Sequence, residues 1–257
     1  MKGTQSSGEE RMERLTGIHA VREALAAGRP LERIVVARGR HGERIEEVVR
    51  LARERGVPVR FEERVQLDRL AGREEHQGVV GVAAAKRTAT LEQLVATAGA
   101  EALLVLLDGI EDPRNLGAIV RSALAAGAAG VVIAERRAAG LTDTVSRAAA
   151  GALEHLPVAR VGNLARAMEE LKEAGWWLVG LEERAGKAHT EQDLTGKVAL
   201  VLGGEGKGLH ELVRKRCDFL VGIPTVGPVR SLNVSVAAGV VLFEAVRQRR
   251  EKNRAQG

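Results

Sequence analysis

The sequence predicts an α/β protein in which a parallel sheet is covered by helices on both faces. Several segments, among them "ALLVLLDGI" and "KVALVLGG", are nearly continuous apolar runs of strand length, as expected for strands buried on both faces. Segments with helical periodicity alternate with them, which is the pattern of α/β folds. The 257 residues are 45% hydrophobic and 28% charged, a composition typical of folded chains and a length sufficient for two modest domains.

The first part of the chain predicts a polar segment followed by a small α/β domain. Residues 1–14 are polar and mixed in charge, and we expect them to be flexible. Residues 15–85 begin with a helix in "LTGIHAVREALAAGRP", followed by the strand "RIVVAR", the helix "GERIEEVVRLARERG", the strand "VPVRFE", the helix "ERVQLDRLAG" and the strand "GVVGVAA". Residues 86–100 predict a linker that carries a short helix capped by Thr90.

Residues 101–257 predict a second, larger domain with a parallel sheet and a basic tail. Its strands lie in "ALLVLLDGI", "GVVIAE", "LPVARV", "WWLVGLEE", "KVALVLGG" and "FLVGIP", with helices between them and a final helix that begins near Ser231. The tail "RQRREKNRAQG" holds five basic residues and one acidic residue, so it supplies +4 of the net charge of +5. Because the rest is nearly neutral, a nucleic-acid surface depends on where its charges lie.

The composition excludes several classes of protein. No apolar run approaches the roughly 20 residues of a membrane helix, and the polar start resembles neither a signal peptide nor a transit sequence. The single cysteine, Cys217, excludes an internal disulfide and fits a reducing compartment. We therefore expect a cytoplasmic protein in which Cys217 has a packing role. Aromatic residues are only 2%, which argues against a single-strand binder built on rows of stacking platforms.

The first segment that carries chemistry is "DGIEDPRNLGAIVRSA", residues 108–123. A buried strand ends at Asp108, and a loop leads into the next helix. Ligands of open parallel sheets bind beyond the carboxyl ends of the strands, so Asn115 and Arg121 are suitably placed. The alternative is that Asp112 or Asn115 is a helix N-cap and Arg121 a solvated helix residue.

The second segment, "LVLGGEGKGLH" at residues 200–210, predicts a strand, a glycine-rich turn and a helix. It is not a Walker loop, because the Gly-Lys pair is followed by Gly-Leu, and Leu209 replaces the third glycine of a dinucleotide fingerprint. Glu205 would repel a phosphate, so the turn favours a cationic or hydroxyl-bearing ligand. The alternative is a tight turn with an exposed glutamate.

The third segment is "SLNVSVAAGVVLFEA", residues 231–245. Helical spacing places Asn233 and Glu244 in nearly the same direction, and Ser231 and Ser235 add further polar groups to the first turn. The same spacing puts four residues on one face, which we expect to be the core face: Leu232, Val236, Gly239 and Phe243. The alternative is a Ser N-cap with incidental polar neighbours.

These segments together resemble the three motifs of the SpoU (TrmH-like) RNA 2′-O-methyltransferases of the SPOUT superfamily. "NLGAIVRSA", "LVLGGEGKGL" and "IPTVGPVRSLNVSVAAGVVLFEA" occur in that order within residues 103–247. The N-terminal unit, with "GIHAVREAL" and "EHQGVVG", is similar to the small ribosomal-protein-like RNA-binding domain of many members. This layout most resembles the bacterial 23S rRNA guanosine-2′-O-methyltransferases.

The resemblance implies a trefoil knot in the C-terminal domain and a homodimer whose active site draws on both subunits. It implies S-adenosyl-L-methionine as the cofactor, with no metal, because the sulfonium already makes the methyl group electrophilic. The implied substrate is structured RNA, most closely a guanosine of 23S rRNA, and neither DNA nor a membrane is an expected partner.

Five polar residues match the family signature by this resemblance. Arg121 would deprotonate or orient the ribose 2′-hydroxyl, but arginine is a poor base, and stabilisation of the developing alkoxide or of the adjacent RNA phosphate is an open alternative. Asn115 and Ser231 would position Arg121 or the cofactor. Asn233 would hold the cofactor or the second motif, and Glu205 would anchor Arg121 or Asn233.

The resemblance also assigns binding residues. One departure from the pattern is Phe243, which stands where the family usually has tyrosine, and we expect it to pack. The residues implied in RNA binding are Arg114, Arg230 and His76. The residues implied in cofactor binding are Leu202, Gly203, Gly204, Glu205, Gly206, Ile223, Leu232 and Asn233.

The sequence leaves three alternatives to a 23S rRNA methyltransferase to compare. A transfer RNA guanosine is the main rival substrate. A non-catalytic RNA-binding or ribosome-assembly protein of the same fold is opposed by the presence of all five signature residues. A nucleotide-dependent oxidoreductase is opposed by the incomplete glycine fingerprint.

Overall fold

The chain divides into two compact units, Met1–Arg87 and Thr88–Gly257. The structure, a computed structural model, describes residues 12–72, 75–84, 88–135, 138–206, 208–228 and 231–256. Among these residues, no helix has both the length and the apolar character required to cross a bilayer.

The first unit is a mixed sheet with helices on both faces. In its described residues the elements are β1 (Met12–Thr16), α1 (Ile18–Ala26), β2 (Leu31–Ala37), α2 (Glu43–Glu54), β3 (Val59–Glu62), α3 (Arg64–Ala71) and β4 (Val79–Ala84). The strand order is β1-β4-β2-β3. β4 is antiparallel to both neighbours, and β2 and β3 are parallel. α1 and α2 pack on one face and α3 on the other.

The second unit contains the predicted parallel sheet, which is confirmed. Its strand order is β10-β8-β9-β5-β6-β7, and every neighbouring pair is parallel. α5, α6 and α9 pack on one face, and α4, α7 and α8 on the other. The elements are α4 (Leu91–Thr97), β5 (Leu103–Asp108), α5 (Pro113–Ala125), β6 (Gly130–Ala134), α6 (Asp143–Ala148), β7 (Val158–Val161), α7 (Leu164–Glu173), β8 (Trp177–Leu181), β9 (Val198–Gly203), α8 (Glu211–Arg216), β10 (Phe219–Val221) and α9 (Val234–Gln256).

The structure corrects one predicted boundary, at residues 12–14, and confirms one predicted helix, after Thr90. Residues 12–14 were assigned to a flexible segment, but they open β1, which pairs with β4 at the edge of the sheet; residues 1–11 lie outside the described part. The helix expected after Thr90 is confirmed as α4, with a capping box between Thr90 and Gln93. Leu91 and Leu94 of this helix are buried in the second unit.

The predicted core face of the last helix was wrong. α9 begins at Val234, three residues later than expected, and its buried side chains include Ala238, Val241 and Leu242. The face predicted to be buried is instead largely exposed, at 43% for Leu232, 52% for Val236 and 51% for Phe243, and the neighbouring Val240 is 37% exposed. Apolar residues lie on two sides of this helix, so the spacing could not show which of the two sides faces the sheet.

The basic tail continues α9 and is largely engaged within the second unit. The Arg249 guanidinium donates to the backbone carbonyls of Glu101, Ala102, Leu194 and Gly196. These carbonyls lie just before β5 and β9, so the arginine joins the amino-terminal ends of the two central strands. Lys252 pairs with the Glu101 carboxylate at 2.7 Å.

Two pKa shifts also reflect packing. Arg247 and Gln248 donate to the Glu244 carboxylate, and these bonds hold its pKa below the usual range. Burial raises the pKa of the Cys217 thiol to about 12. The thiol is therefore neutral near pH 7, in keeping with a packing role.

The close approach of α5 to α6 depends on Gly117. A methyl group at this position would overlap the Ala148 methyl and lie 2.7 Å from the Val145 carbonyl oxygen and 2.9 Å from the Ala149 nitrogen. Backbone atoms cannot move aside as a flexible side chain does, so overpacking here has to separate the helices.

We expect Gly117→Ala to lower the free energy of unfolding by about 1–3 kcal/mol, measured by urea denaturation. In an Ala148→Gly background the loss should be smaller but not zero, because the backbone contacts remain. Equal stability of Gly117→Ala and the wild-type protein would contradict the close approach.

Candidate functional site

The candidate site lies beyond the carboxyl ends of the two central strands of the second unit. β5 ends at Asp108 and β9 ends at Gly203, and these two residues are paired in register. β5 continues into α5, β9 continues into the glycine-rich loop, and the chain after β10 leads to α9. Ligands of open parallel sheets bind at this end, where the strand order reverses direction.

Asp108 fixes the glycine-rich loop at both ends. Asp108 is 7% exposed, and its carboxylate accepts the His210 backbone N–H at 2.7 Å and lies 3.0 Å from His210 Nδ1. Its backbone carbonyl accepts the Gly204 N–H at 2.8 Å. The loop between these two anchors therefore begins and ends on one strand-terminal residue.

The glycines of this loop are required by close backbone packing and by backbone conformation. A methyl group at Gly203 would overlap the backbone of Gly208 and Leu209, and one at Gly204 would overlap the Gly109 carbonyl oxygen. Gly206 and Gly208 have φ values of +77° and +63°, which side chains rarely adopt.

Three polar side chains from the three sequence segments meet at the site. Asn115 Nδ2 donates to Glu205 Oε1. Asn233 Nδ2 donates to Asn115 Oδ1 at 3.1 Å and to Glu205 Oε1 at 3.2 Å. Asn115 is buried, at 7% exposure, so the network connects the start of α5, the glycine-rich loop and the segment before α9.

Asn233 also begins the last helix. Its Oδ1 accepts the Ser235 backbone N–H at 2.9 Å and the Ser235 hydroxyl at 2.6 Å. Asn233, rather than Ser231, therefore caps the helix, while its amide nitrogen serves the network. In α5 the capping residue is Asp112, whose carboxylate accepts the Arg114 N–H, so Asn115 is free for the network.

A cavity of about 610 Å³ opens beside the network. Ligand sites in proteins usually measure about 300–1,000 Å³. All eight residues that the sequence suggested for cofactor binding line this cavity, as does Ser231: Leu202, Gly203, Gly204, Glu205, Gly206, Ile223, Leu232 and Asn233.

The cavity has a second wall that the sequence did not indicate, formed by Leu181, Glu182, Glu183 and Arg184. Leu181 ends β8 and the other three residues follow it, and only the strand order places β8 beside β9. The pairing of "WWLVGLEE" with "KVALVLGG" has no signature in the sequence, so its contribution could not be foreseen.

The lining suits S-adenosylmethionine. Leu181, Leu202 and Ile223 provide apolar surface, and the carboxylates of Glu183 and Glu205 suit the positive sulfonium and ammonium groups. Gly203 and Gly204 leave the backbone of the loop without side chains beside the cavity. The residues present therefore fit the cofactor.

The other predicted residues lie apart from the cavity. Arg121 is exposed on α5, has no hydrogen bond or ion pair among the described residues and does not line the cavity. Arg114 is exposed at the start of α5, and Arg230 lies outside the described residues. In the first unit, His76 is only 4% exposed, which leaves its ring little surface for RNA.

Comparison with known proteins supports the same assignment. Residues 102–243 match the SpoU rRNA Methylase family. The chain belongs to this family. Residues 14–89 match the family described as RNA 2′-O ribose methyltransferase substrate binding, so a substrate-binding domain precedes the SpoU methylase domain.

Individual members of the SpoU family are similar over nearly the whole chain. The 23S rRNA (guanosine-2′-O-)-methyltransferase RlmB of Pseudomonas putida is 43% identical over 246 residues, which cover 94% of this chain and 98% of that protein. The protein of the same name from Xylella fastidiosa is 48% identical over 219 residues, 84% of this chain and 88% of that protein. The crystal structure of the SpoU methyltransferase AviRb from Streptomyces viridochromogenes with AdoMet superposes with a TM-score of 0.80 at 30% identity, covering 92% of this chain and 89% of that chain. These findings confirm the predicted family, enzyme class and cofactor.

The network predicts how an added negative charge at position 115 changes the affinity for the cofactor. In Asn115→Asp, a second carboxylate faces Glu205, and we expect S-adenosylmethionine to bind at least about tenfold more weakly at pH 7.5 because two adjacent carboxylates repel. Titration calorimetry should show partial recovery as the pH falls to about 5.5, because the pair then shares a proton and regains a donor.

The double variant Asn115→Asp/Glu205→Gln is the control. It exchanges donor and acceptor, so it should restore affinity at pH 7.5 without acidification. A single variant that binds as the wild type does at both pH values would contradict the role of the network.

Proposed function

We propose that the protein transfers a methyl group from S-adenosylmethionine to the ribose 2′-hydroxyl of a guanosine in 23S rRNA. The observation that carries this proposal is the cavity bounded by the Asn115–Glu205–Asn233 network at the carboxyl ends of β5 and β9. The RlmB relatives, similar over both units, are named for this substrate. A ribosomal RNA substrate also supports the expected cytoplasmic location.

When bound, the cofactor supplies a methyl group on a positively charged sulfur, which is electrophilic without further activation. The chain has to bind this group and to orient the attacking hydroxyl. We assign the first task to the cavity lining and place Glu205 and Asn233 at its polar end. Asn115 supports both through its hydrogen bonds, and Ser231 is a further polar group at the cavity wall.

We assign to Arg121 the second task, which is to orient the attacking hydroxyl. Its side chain is exposed, unpaired among the described residues and outside the cavity of its own chain. A guanidinium stays protonated near neutral pH, so it favours stabilisation of the developing alkoxide over proton removal. Its position suggests that it serves the cavity of a second copy of the chain.

The exposed apolar face of α9 supports such a homodimer. Val236, Val240 and Phe243 of α9 and Leu232 just before it are each more than one third exposed, and the three helical residues repeat at helical spacing. Soluble monomers rarely leave a continuous apolar stripe in water. Leu232 also lines the cavity, so a partner on this stripe would lie beside the active site.

The trefoil knot stays a prediction from the family resemblance.

We expect Arg121→Ala to lower kcat by about 100-fold or more, the usual cost of removing one group that stabilises an oxyanion, with unchanged affinity for S-adenosylmethionine. The assay uses labelled cofactor and protein-free 23S rRNA, with bulk tRNA in parallel. Arg166→Ala is the control, because Arg166 is an exposed arginine on the opposite face of the sheet. Transfer to tRNA alone would favour the rival substrate, and failure of the wild-type protein to methylate any RNA would overturn the enzymatic proposal.

The composite site can be tested by complementation. Arg121→Ala and Glu205→Gln should each be inactive alone, but their mixture should recover about a quarter of the wild-type rate. About half of the dimers are then mixed, and each mixed dimer of two-fold symmetry has one intact site of its two. No recovery after co-expression, with mixed dimers shown by mass spectrometry, would place Arg121 and Glu205 in the same subunit's site.

A further inference from the structure

At one end of the strands in the first unit's sheet, three adjacent strands and the segments that join them present exposed side chains. We call this end the turn edge and define it by the loop Arg38–Gly42 after β2, Phe61 in β3 and the turn His76–Gly78 before β4. β4 is antiparallel to β2, and Val36 pairs with Val79, so β4 starts where β2 ends. β3 is parallel to β2 and ends at the same edge.

Direct contacts connect these segments. The Ala37 N–H donates to the Gly78 carbonyl at 2.9 Å. The Arg40 side chain lies across Gly78, where an added methyl group would be 3.0 Å from Arg40 Cγ and 3.4 Å from Nε. Arg38 Nε donates to the Phe61 carbonyl at 3.3 Å.

The turn holds Gln77 in an unfavourable conformation. Gln77 is exposed and has φ = +51°, in the left-handed region that non-glycine residues rarely occupy. Buried His76 stabilises the turn, because its Nδ1 accepts the Gly78 N–H at 3.0 Å and its Nε2 lies 2.8 Å from the Asp68 carboxylate. His76 thus supports the turn from below, and Gln77 is the side chain presented to solvent. Strain of this kind is usually retained where the side chain has a task.

A charged side chain and an apolar side chain at the turn edge are also exposed and can contact a ligand. Arg38 lies 3.4 Å from Glu63, whereas Arg40 is exposed and has no ion-pair partner in the part of the chain that the structure describes. Phe61 is 48% exposed, although the chain contains only three phenylalanines, two tryptophans and no tyrosine. α1 begins at this edge without an acidic residue in its first turn, so its positive end adds to the potential there. Glu43 and Glu46 in the first turn of α2 offset the positive end of that helix.

We propose that the turn edge binds an unpaired segment of the RNA substrate, an inference that rests on the proposed function. Unpaired bases expose their edges and faces, and proteins recognise them by hydrogen bonds and by stacking on aromatic rings. Phe61 stacks on one base, the Gln77 amide bonds a base edge, and Arg40 contacts a phosphate of the same strand. The turn edge therefore contributes to the choice of substrate as well as to affinity.

The sharpest variant is Gln77→Gly. Glycine adopts a positive φ without strain, so this protein should melt at a higher temperature than the wild type. It should also bind protein-free 23S rRNA about fivefold more weakly in a filter-binding assay. Weaker binding by a more stable protein cannot result from unfolding.

Arg40→Ala and Phe61→Leu test the other two contacts. Arg40→Ala should weaken rRNA binding about three- to tenfold and make its salt dependence shallower by about one phosphate contact. Phe61→Leu should weaken binding about fivefold or more, and Phe61→Trp should retain it, because stacking needs the ring. The matched control is Arg53→Ala, which removes the same charge from the last turn of α2, about 15 Å along the helix from its start.

The outcomes separate this inference from the proposed function. If the wild-type protein methylates RNA but Gln77→Gly, Arg40→Ala and Phe61→Leu all bind within about twofold of it, the turn edge is not the docking surface. If the wild-type protein binds rRNA but methylates nothing, the proposed function fails, and the three variants still decide the surface by binding. If the wild-type protein binds no rRNA, both are overturned. In every arm, unchanged S-adenosylmethionine affinity shows that the second unit is intact.

Discussion

The hydrogen bonds among Asn115, Glu205 and Asn233 are the constraint on which the candidate site depends. A carboxylate only accepts hydrogen bonds, whereas an asparagine amide both donates and accepts. Glu205 therefore needs donors from elsewhere, and each asparagine supplies one. Because the three residues come from three segments far apart in the sequence, the first turn of α5, the glycine-rich loop and the residue before α9, their mutual chemistry decides how those segments meet. The shape of the cavity follows from that meeting.

Much of the fold could be predicted because the buried strands and the turns between them have strong local signals. Apolar runs such as "ALLVLLDGI" indicate doubly covered strands, and the Thr90 cap indicates α4 without reference to any tertiary contact. β1 was missed because an edge strand needs few apolar residues, and its identity depends on the partner β4. The orientation of α9 was wrong because both of its sides are apolar, and only packing on the sheet distinguishes them.

The site was predictable where the chain itself places residues in order, and less so where topology places them. The glycine-rich loop and the segment around Asn233 were located by their motifs. The wall formed by residues 181–184 depends on the position of β8 beside β9, which no local pattern specifies. His76 was singled out from its motif, yet burial among Asp68 and Gly78 gives it a supporting position.

The engagement of Arg249 bears on how the chain folds during synthesis. Its guanidinium joins the carbonyls that precede β5 and β9, but it is translated after every strand of the sheet. The domain therefore cannot close the amino-terminal end of its central strands until α9 has left the ribosome. Domains fold as units while synthesis proceeds, and here the step that completes the unit falls to a residue near its far end. The composition of the basic tail is typical of a nucleic-acid-binding extension, but part of the tail completes the folding of the newly made domain.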